Sequence, residues 1–133
     1  MSAPRNPRTA NGSRRRKALA RLRAMRRECW ICGLPIDYGA PAGDPLAFEC
    51  DEVTPVSKGG SPYDMGNLRA AHRCCNGWRS NKPAALVEAV RVSALESFGR
   101  WTTPLEFVER ARRVERASKA RIAPGQPRTT TEW

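Results

Sequence analysis

Histidine is nearly absent: His72 is the only one in 133 residues. No apolar run approaches the roughly 20 residues that a membrane-spanning helix needs, which excludes a span. The basic N-terminus is followed by no long apolar stretch of signal-peptide type. A soluble, intracellular protein is expected. Acids are scarce too. Thirteen carboxylates face 24 lysines and arginines, giving a net charge of +11 and a pI near 10.5. That imbalance points to a polyanion as partner, most often nucleic acid, rather than a membrane or a small-molecule substrate. Charge alone does not separate a nucleic-acid enzyme from a ribosome-like basic protein.

Against these shortages stand five cysteines: Cys29, Cys32, Cys50, Cys74 and Cys75. The count is odd and no export signal is present, so metal binding ranks ahead of a disulfide framework. Cys29 and Cys32 form C-x2-C with Gly33 behind them, a spacing that binds one zinc from a tight turn. A second half is needed, and "HRCCN" supplies it. His72 and Cys75 are three apart, so at a helix start they share a face. The expected zinc set is Cys29, Cys32, His72 and Cys75. The rival set, with Cys74 and Cys75 as neighbouring ligands, is geometrically poorer. Cys50 reads as a buried free thiol. The segment between the two halves is loop-rich and has few large apolar residues, so a metal can staple what so small a core cannot hold.

Along the chain, residues 1–13 read as a disordered basic tail. Residues 14–28, "RRRKALARLRAMRRE", read as a basic helix or arm with Leu19, Leu22 and Met25 on one face. Arg14, Arg15, Arg16, Lys17, Arg21 and Arg23 cover its other sides and are candidates for phosphate contact. Residues 29–82 form the zinc domain. Within it "LPIDYGAPAGDP" excludes a helix. "LAFECDEV" predicts a strand with Phe48 and Cys50 on one side and Glu49 and Asp51 on the other. "SKGGSPYD" marks a turn. Asn67 to Ala71 is short enough to be extended, and a short helix follows His72 to about Ser80. Residues 83–122 hold C-terminal helices. The first shows apolar Leu86, Val87, Val90 and Leu95 and is stopped by Gly99. The second has Thr103 as N-cap, Pro104 at N1 and Glu106 completing a capping box. Its apolar face is Leu105, Phe107, Val108, Ala111 and Val114. Residues 123–133 read as a flexible tail. Trp30 and Trp78 are candidates for stacking on bases, but inside the knuckle and on the short helix they read first as packing residues.

Taken together, "CWICG … FECDEVTPVSKGGSPYDMGNLRAAHRCCNGWRSNK" resembles the HNH endonuclease family, especially its small zinc-containing bacteriophage members. The resemblance covers about Cys29 to Lys82. It implies an α+β fold: a ββα-metal (His-Me finger) core with a structural zinc knuckle, here flanked by a basic N-terminal helix and C-terminal helices. It further implies metal-dependent hydrolysis of DNA phosphodiesters, with a role in phage genome processing beside other packaging proteins. By this resemblance Asp51 and Asn76 hold a catalytic Mg2+ or Mn2+, and Asn67 fixes the loop that carries the base. Arg79 and Lys82 face phosphates, and Cys29, Cys32, His72 and Cys75 hold the structural zinc. One departure stands out: Glu52 occupies the position of the family's histidine base. A zinc-bound His72 has no lone pair to accept a proton, so catalysis falls to the Glu52 carboxylate. His72 as base, with both Cys74 and Cys75 on zinc, would put the base in the wrong part of the motif.

Two other classes compete with the nuclease. One is a non-catalytic, zinc-stapled nucleic-acid-binding protein with a degenerate HNH site. The other is a basic structural protein without zinc.

Overall fold

A computed structural model describes residues 11–120. Residues 1–10 of the tail expected at 1–13, and the whole of the tail expected at 123–133, lie outside the described residues. Helix α1 spans Gly12–Ala24, strand β1 Phe48–Glu52, strand β2 Leu68–His72, and helix α2 Arg73–Arg79. Helices α3 (Ala84–Phe98) and α4 (Pro104–Ala120) follow among the described residues. The architecture is α+β, with one two-stranded antiparallel sheet. No helix among the described residues is long and apolar enough to cross a membrane.

The basic helix begins at Gly12, inside the segment expected to be a tail. It carries no acid in its first turn and Arg21 and Arg23 in its last, which suits the negative end of the helix dipole. The expected Leu19–Leu22–Met25 face is corrected. Ala18 and Leu22, spaced i and i+4, are buried, whereas Met25 lies past the helix end and is 42% exposed. Under α1, Ala18, Leu22 and Leu68 make a small core with Phe48, Cys50, Tyr63 and Met65 against it.

Register in the hairpin runs from Phe48 opposite His72 to Glu52 opposite Leu68. Strand alternation then separates β1 into two sets. Phe48 and Cys50 join the α1 side, and Glu49 and Asp51 reach side chains of α2. Helix α2 follows β2 without a loop. Its N-cap, His72, makes no side-chain cap. Loop carbonyls replace it: Arg73 N–H donates to Ala47 O at 2.8 Å and Cys74 N–H to Pro45 O at 2.8 Å. The helix stops at Ser80, which takes φ 53°.

Helices α3 and α4 bury Val87, Val90, Ala94, Phe107, Val108 and Ala111 together with Trp78, Trp101 and the metal-type residues Cys29, Cys32 and Cys75. Leu86, Leu95 and Leu105, expected inside, are exposed, and the small Ala94 takes the inward position instead. Gly99 ends α3 at φ 73°. At α4 the Thr103 hydroxyl accepts from Glu106 N–H at 3.1 Å, while the Glu106 carboxylate reaches back to Thr102. The C-terminal helices therefore share one core with the cysteine knuckle.

Candidate functional site

The knuckle is a tight turn. Gly33 sits at φ 80°, its N–H donates to Cys29 O at 2.8 Å, and Cys29 N–H donates to Leu34 O at 3.0 Å. A side chain at that φ is strained, so glycine is required. Trp30 N–H bonds Ala70 O at 3.0 Å, which docks the turn on β2. From α4's entry, Trp101 Nε1–H donates to Cys32 O at 2.8 Å.

Cys29, Cys32, His72 and Cys75 are brought together. Their donor atoms all lie within 4.8 Å of one another, and all four residues are buried. His72 Nδ1 lies 3.4 Å from Cys32 Sγ and 4.0 Å from Cys75 Sγ. A tetrahedral zinc with Zn–S of about 2.3 Å and Zn–N of about 2.0–2.1 Å has N···S edges of about 3.5 Å. The donor set fits that ion. His72 Nε2 lies 3.0 Å from Pro35 O, so it carries the proton and leaves Nδ1 as the ligand atom. His72 N–H points at Cys29 Sγ, 3.5 Å away. Burial alone lowers the imidazole's basicity, but hydrogen bonds and charge from Cys29 and Cys32 hold it up to about 10. Cys74 is half-buried and outside the four. Burial pushes the Cys50 thiol up to about 11, which keeps it a protonated packing group.

The adjacent acids part company. Asp51 is 7% exposed and Arg79 1%. Arg79 Nη1 lies 2.8 Å from both Asp51 oxygens, and Trp30 Nε1–H donates to Oδ2 at 2.9 Å. Burial raises the Asp51 carboxyl above its usual range, with Arg79 and Trp30 opposing. Glu52 turns instead toward α1, with Oε2 3.6 Å from Arg15 Nη1. Asn76 Nδ2–H donates to Glu49 Oε1 at 3.0 Å. Asp51 and Asn76 stand on facing surfaces of β1 and α2, each turned to a different partner.

Arg79 requires correction as a phosphate-facing residue. Its guanidinium is buried and donates also to Glu52 O at 2.8 Å, Val53 O at 2.7 Å and Lys82 O at 3.0 Å. It ties the end of β1 to the end of α2. Lys82 is likewise committed, with Nζ on Trp78 O at 2.6 Å and 3.7 Å from Glu115. Of the α1 cations, Arg15 is half-buried on Pro62 O and Glu52, and Arg23 bonds Tyr38 O at 2.6 Å. Arg14 is exposed against Tyr63, while Arg16, Lys17 and Arg21 are exposed to solvent.

Asn67 clamps the loop after β1. Its Oδ1 accepts from Thr54 N–H at 2.8 Å, and its Nδ2 donates to Thr54 O and Ser61 O at 2.9 Å each. Gly60 lies so close beneath that an added Cβ would meet Thr54 O at 1.7 Å.

Three participants escaped the sequence reading. Glu49 sits two residues before Asp51, so strand alternation placed it on the right face without giving it a role. Trp30, expected to pack, also donates a hydrogen bond to Asp51. The Pro35 carbonyl has no side-chain signature. Comparison with protein-family models, curated proteins and solved structures found no match for the chain.

Proposed function

We propose that the protein is a zinc-stapled, DNA-acting member of the HNH class and hydrolyses phosphodiester bonds. The observation that supports this reading is the facing of β1 and α2, with Asp51 bonded to Arg79, Asn76 bonded to Glu49, and the loop after β1 clamped by Asn67. Cys29, Cys32, His72 and Cys75 would hold the zinc. Four protein ligands close its coordination shell, so it supplies structural support.

A divalent cation at Asp51 does not fit the side chains as they stand. Both carboxylate oxygens face Arg79, a fixed cation already in place, and Asn76 is turned to Glu49. Cleavage therefore requires Asp51 to release Arg79. Glu52, the group proposed to take a proton from the attacking water, faces α1 and Arg15, so cleavage also requires it to turn from that face toward Asp51.

The same observation favours a second reading, a nucleic-acid-binding protein in which Arg79 has permanently replaced the cation. Plasmid nicking in Mg2+ or Mn2+ separates the two. The nuclease reading expects cleavage that Asp51→Ala and Glu52→Ala abolish and that Glu52→His preserves or raises. Wild-type cleavage no better than that of Asp51→Ala leaves the binding reading alone.

A further inference from the structure

A second basic surface lies away from α1. A cleft of about 350 Å3 opens between α2 and α4, bounded by Gly77, Trp78, Arg112, Arg116 and Lys119. Glu115 is its acid, and that carboxylate is engaged by Trp78 Nε1–H at 2.7 Å and by Lys82 at 3.7 Å. Other cations of α4 are also engaged: Arg110 pairs with Glu106, and Arg113 lies over the Phe98 ring. Arg112, Arg116 and Lys119 are exposed, and no carboxylate among the described residues pairs with them. Their i, i+4, i+7 spacing sets three cations along about 10 Å of one helix face. That length matches the axial rise of about three nucleotides of one strand.

Gly77 is the independent clue. It sits inside a seven-residue helix, yet a Cβ built on it meets nothing within 4 Å. Glycine weakens a helix relative to alanine, and no internal contact here requires it. An exposed, bare backbone lining the cleft suits close approach from outside.

We propose that the α2–α4 cleft is a second contact surface for a nucleic-acid phosphate backbone, with Arg112, Arg116 and Lys119 as the phosphate ligands and Gly77 leaving them room. The proposal rests on the nucleic-acid reading above but not on cleavage. The test is fluorescence anisotropy of a 20-base-pair duplex across a salt series, without added divalent cation. Each lost phosphate contact lowers the slope of log Kobs against log salt by about 0.9. The triple variant Arg112→Gln/Arg116→Gln/Lys119→Gln should therefore lower it by about 2 to 3. Gly77→Gln should leave the melting temperature unchanged or raised and weaken binding at least fivefold. The comparison variant, Arg16→Gln/Lys17→Gln/Arg21→Gln, reports on α1. A wild-type slope in the α4 triple, with the α1 triple weakened, overturns the second surface and leaves DNA binding standing. A wild-type protein that does not bind the duplex overturns both.

Discussion

The Cys29–Cys32–His72–Cys75 cluster and the Asp51–Arg79 pair are built on the same short hairpin and α2, yet they balance charge in opposite ways. In the first, three thiols and an imidazole converge with no lysine or arginine among them, a donor set that suits a cation from outside the chain. In the second, Arg79 supplies the cation from within and adds three backbone carbonyls to its partners. Buried charge is costly unless matched, and these are two ways of matching it. A metal gathers ligands from distant segments, here residues 29–32 and 72–75. An arginine reaches only what its own stem allows, and this one joins the ends of β1 and α2.

Removing the external cation should produce the largest effect. Apparent binding free energies for structural zinc are about 10–16 kcal/mol in small zinc domains. Cys75→Ala, or a strong chelator, should abolish cooperative melting by circular dichroism, and metal analysis of the wild type should find about one zinc per chain. A Cys75→Ala variant that melts like wild type would show that the cluster is only a set of packed thiols.

Breaking the internal pair comes next. Arg79→Ala leaves Asp51 buried without its countercharge, at a cost of about 3–5 kcal/mol in urea denaturation. The double variant Asp51→Leu/Arg79→Met should regain most of that loss, because an apolar pair of similar volume needs no countercharge. No such apolar exchange should rescue the metal cluster, whose removal also cuts the link between segments. Equal rescue at both sites would erase the contrast.

The cluster was legible because its spacing is local twice over: C-x2-C on a turn and H-x2-C at a helix start. Only the pairing of the halves needed the fold. The strand, the capping box at Thr103 and the stop at Gly99 were legible for the same reason. The motif gives Asp51 and Glu52 different roles, but not the different partners they take in the fold. Their divergence follows from the pleat, which sends neighbours to opposite faces, one toward α2 and the other toward α1. Arg79 was misjudged because an arginine on a short helix of a basic protein is usually solvated. Its burial depends on Asp51, 28 residues away in the chain. Leu86, Leu95 and Leu105 failed as core residues because hydrophobicity does not reveal which arc of a helix meets its neighbour.

Asn67 offers a smaller, neutral counterpart. Asn67→Ala removes three hydrogen bonds at 2.8–2.9 Å from the loop that follows Glu52. At about 1 kcal/mol for each bond the loss should be about 2–3 kcal/mol. Amide exchange should accelerate in residues 54–61 while protection in the zinc knuckle stays unchanged. Faster exchange in the knuckle as well would mean that the hairpin and metal cluster open as one unit.

The finest cut is Trp30→Phe. Trp30 lies in the knuckle but donates to Asp51, so it links the two regions. Phenylalanine keeps a ring beneath the Arg79 guanidinium, now 5.1 Å from the indole centroid, and removes only the N–H. The expected cost is about 1.5 kcal/mol, the low end for a hydrogen bond to a charged group. Repeating the substitution in an Asp51→Leu/Arg79→Met background tests whether that cost belongs to the carboxylate. A cost that vanishes there assigns Trp30 to the internal ion pair. A cost that persists assigns it to packing of the knuckle, and the two regions are then energetically separate despite their shared tryptophan.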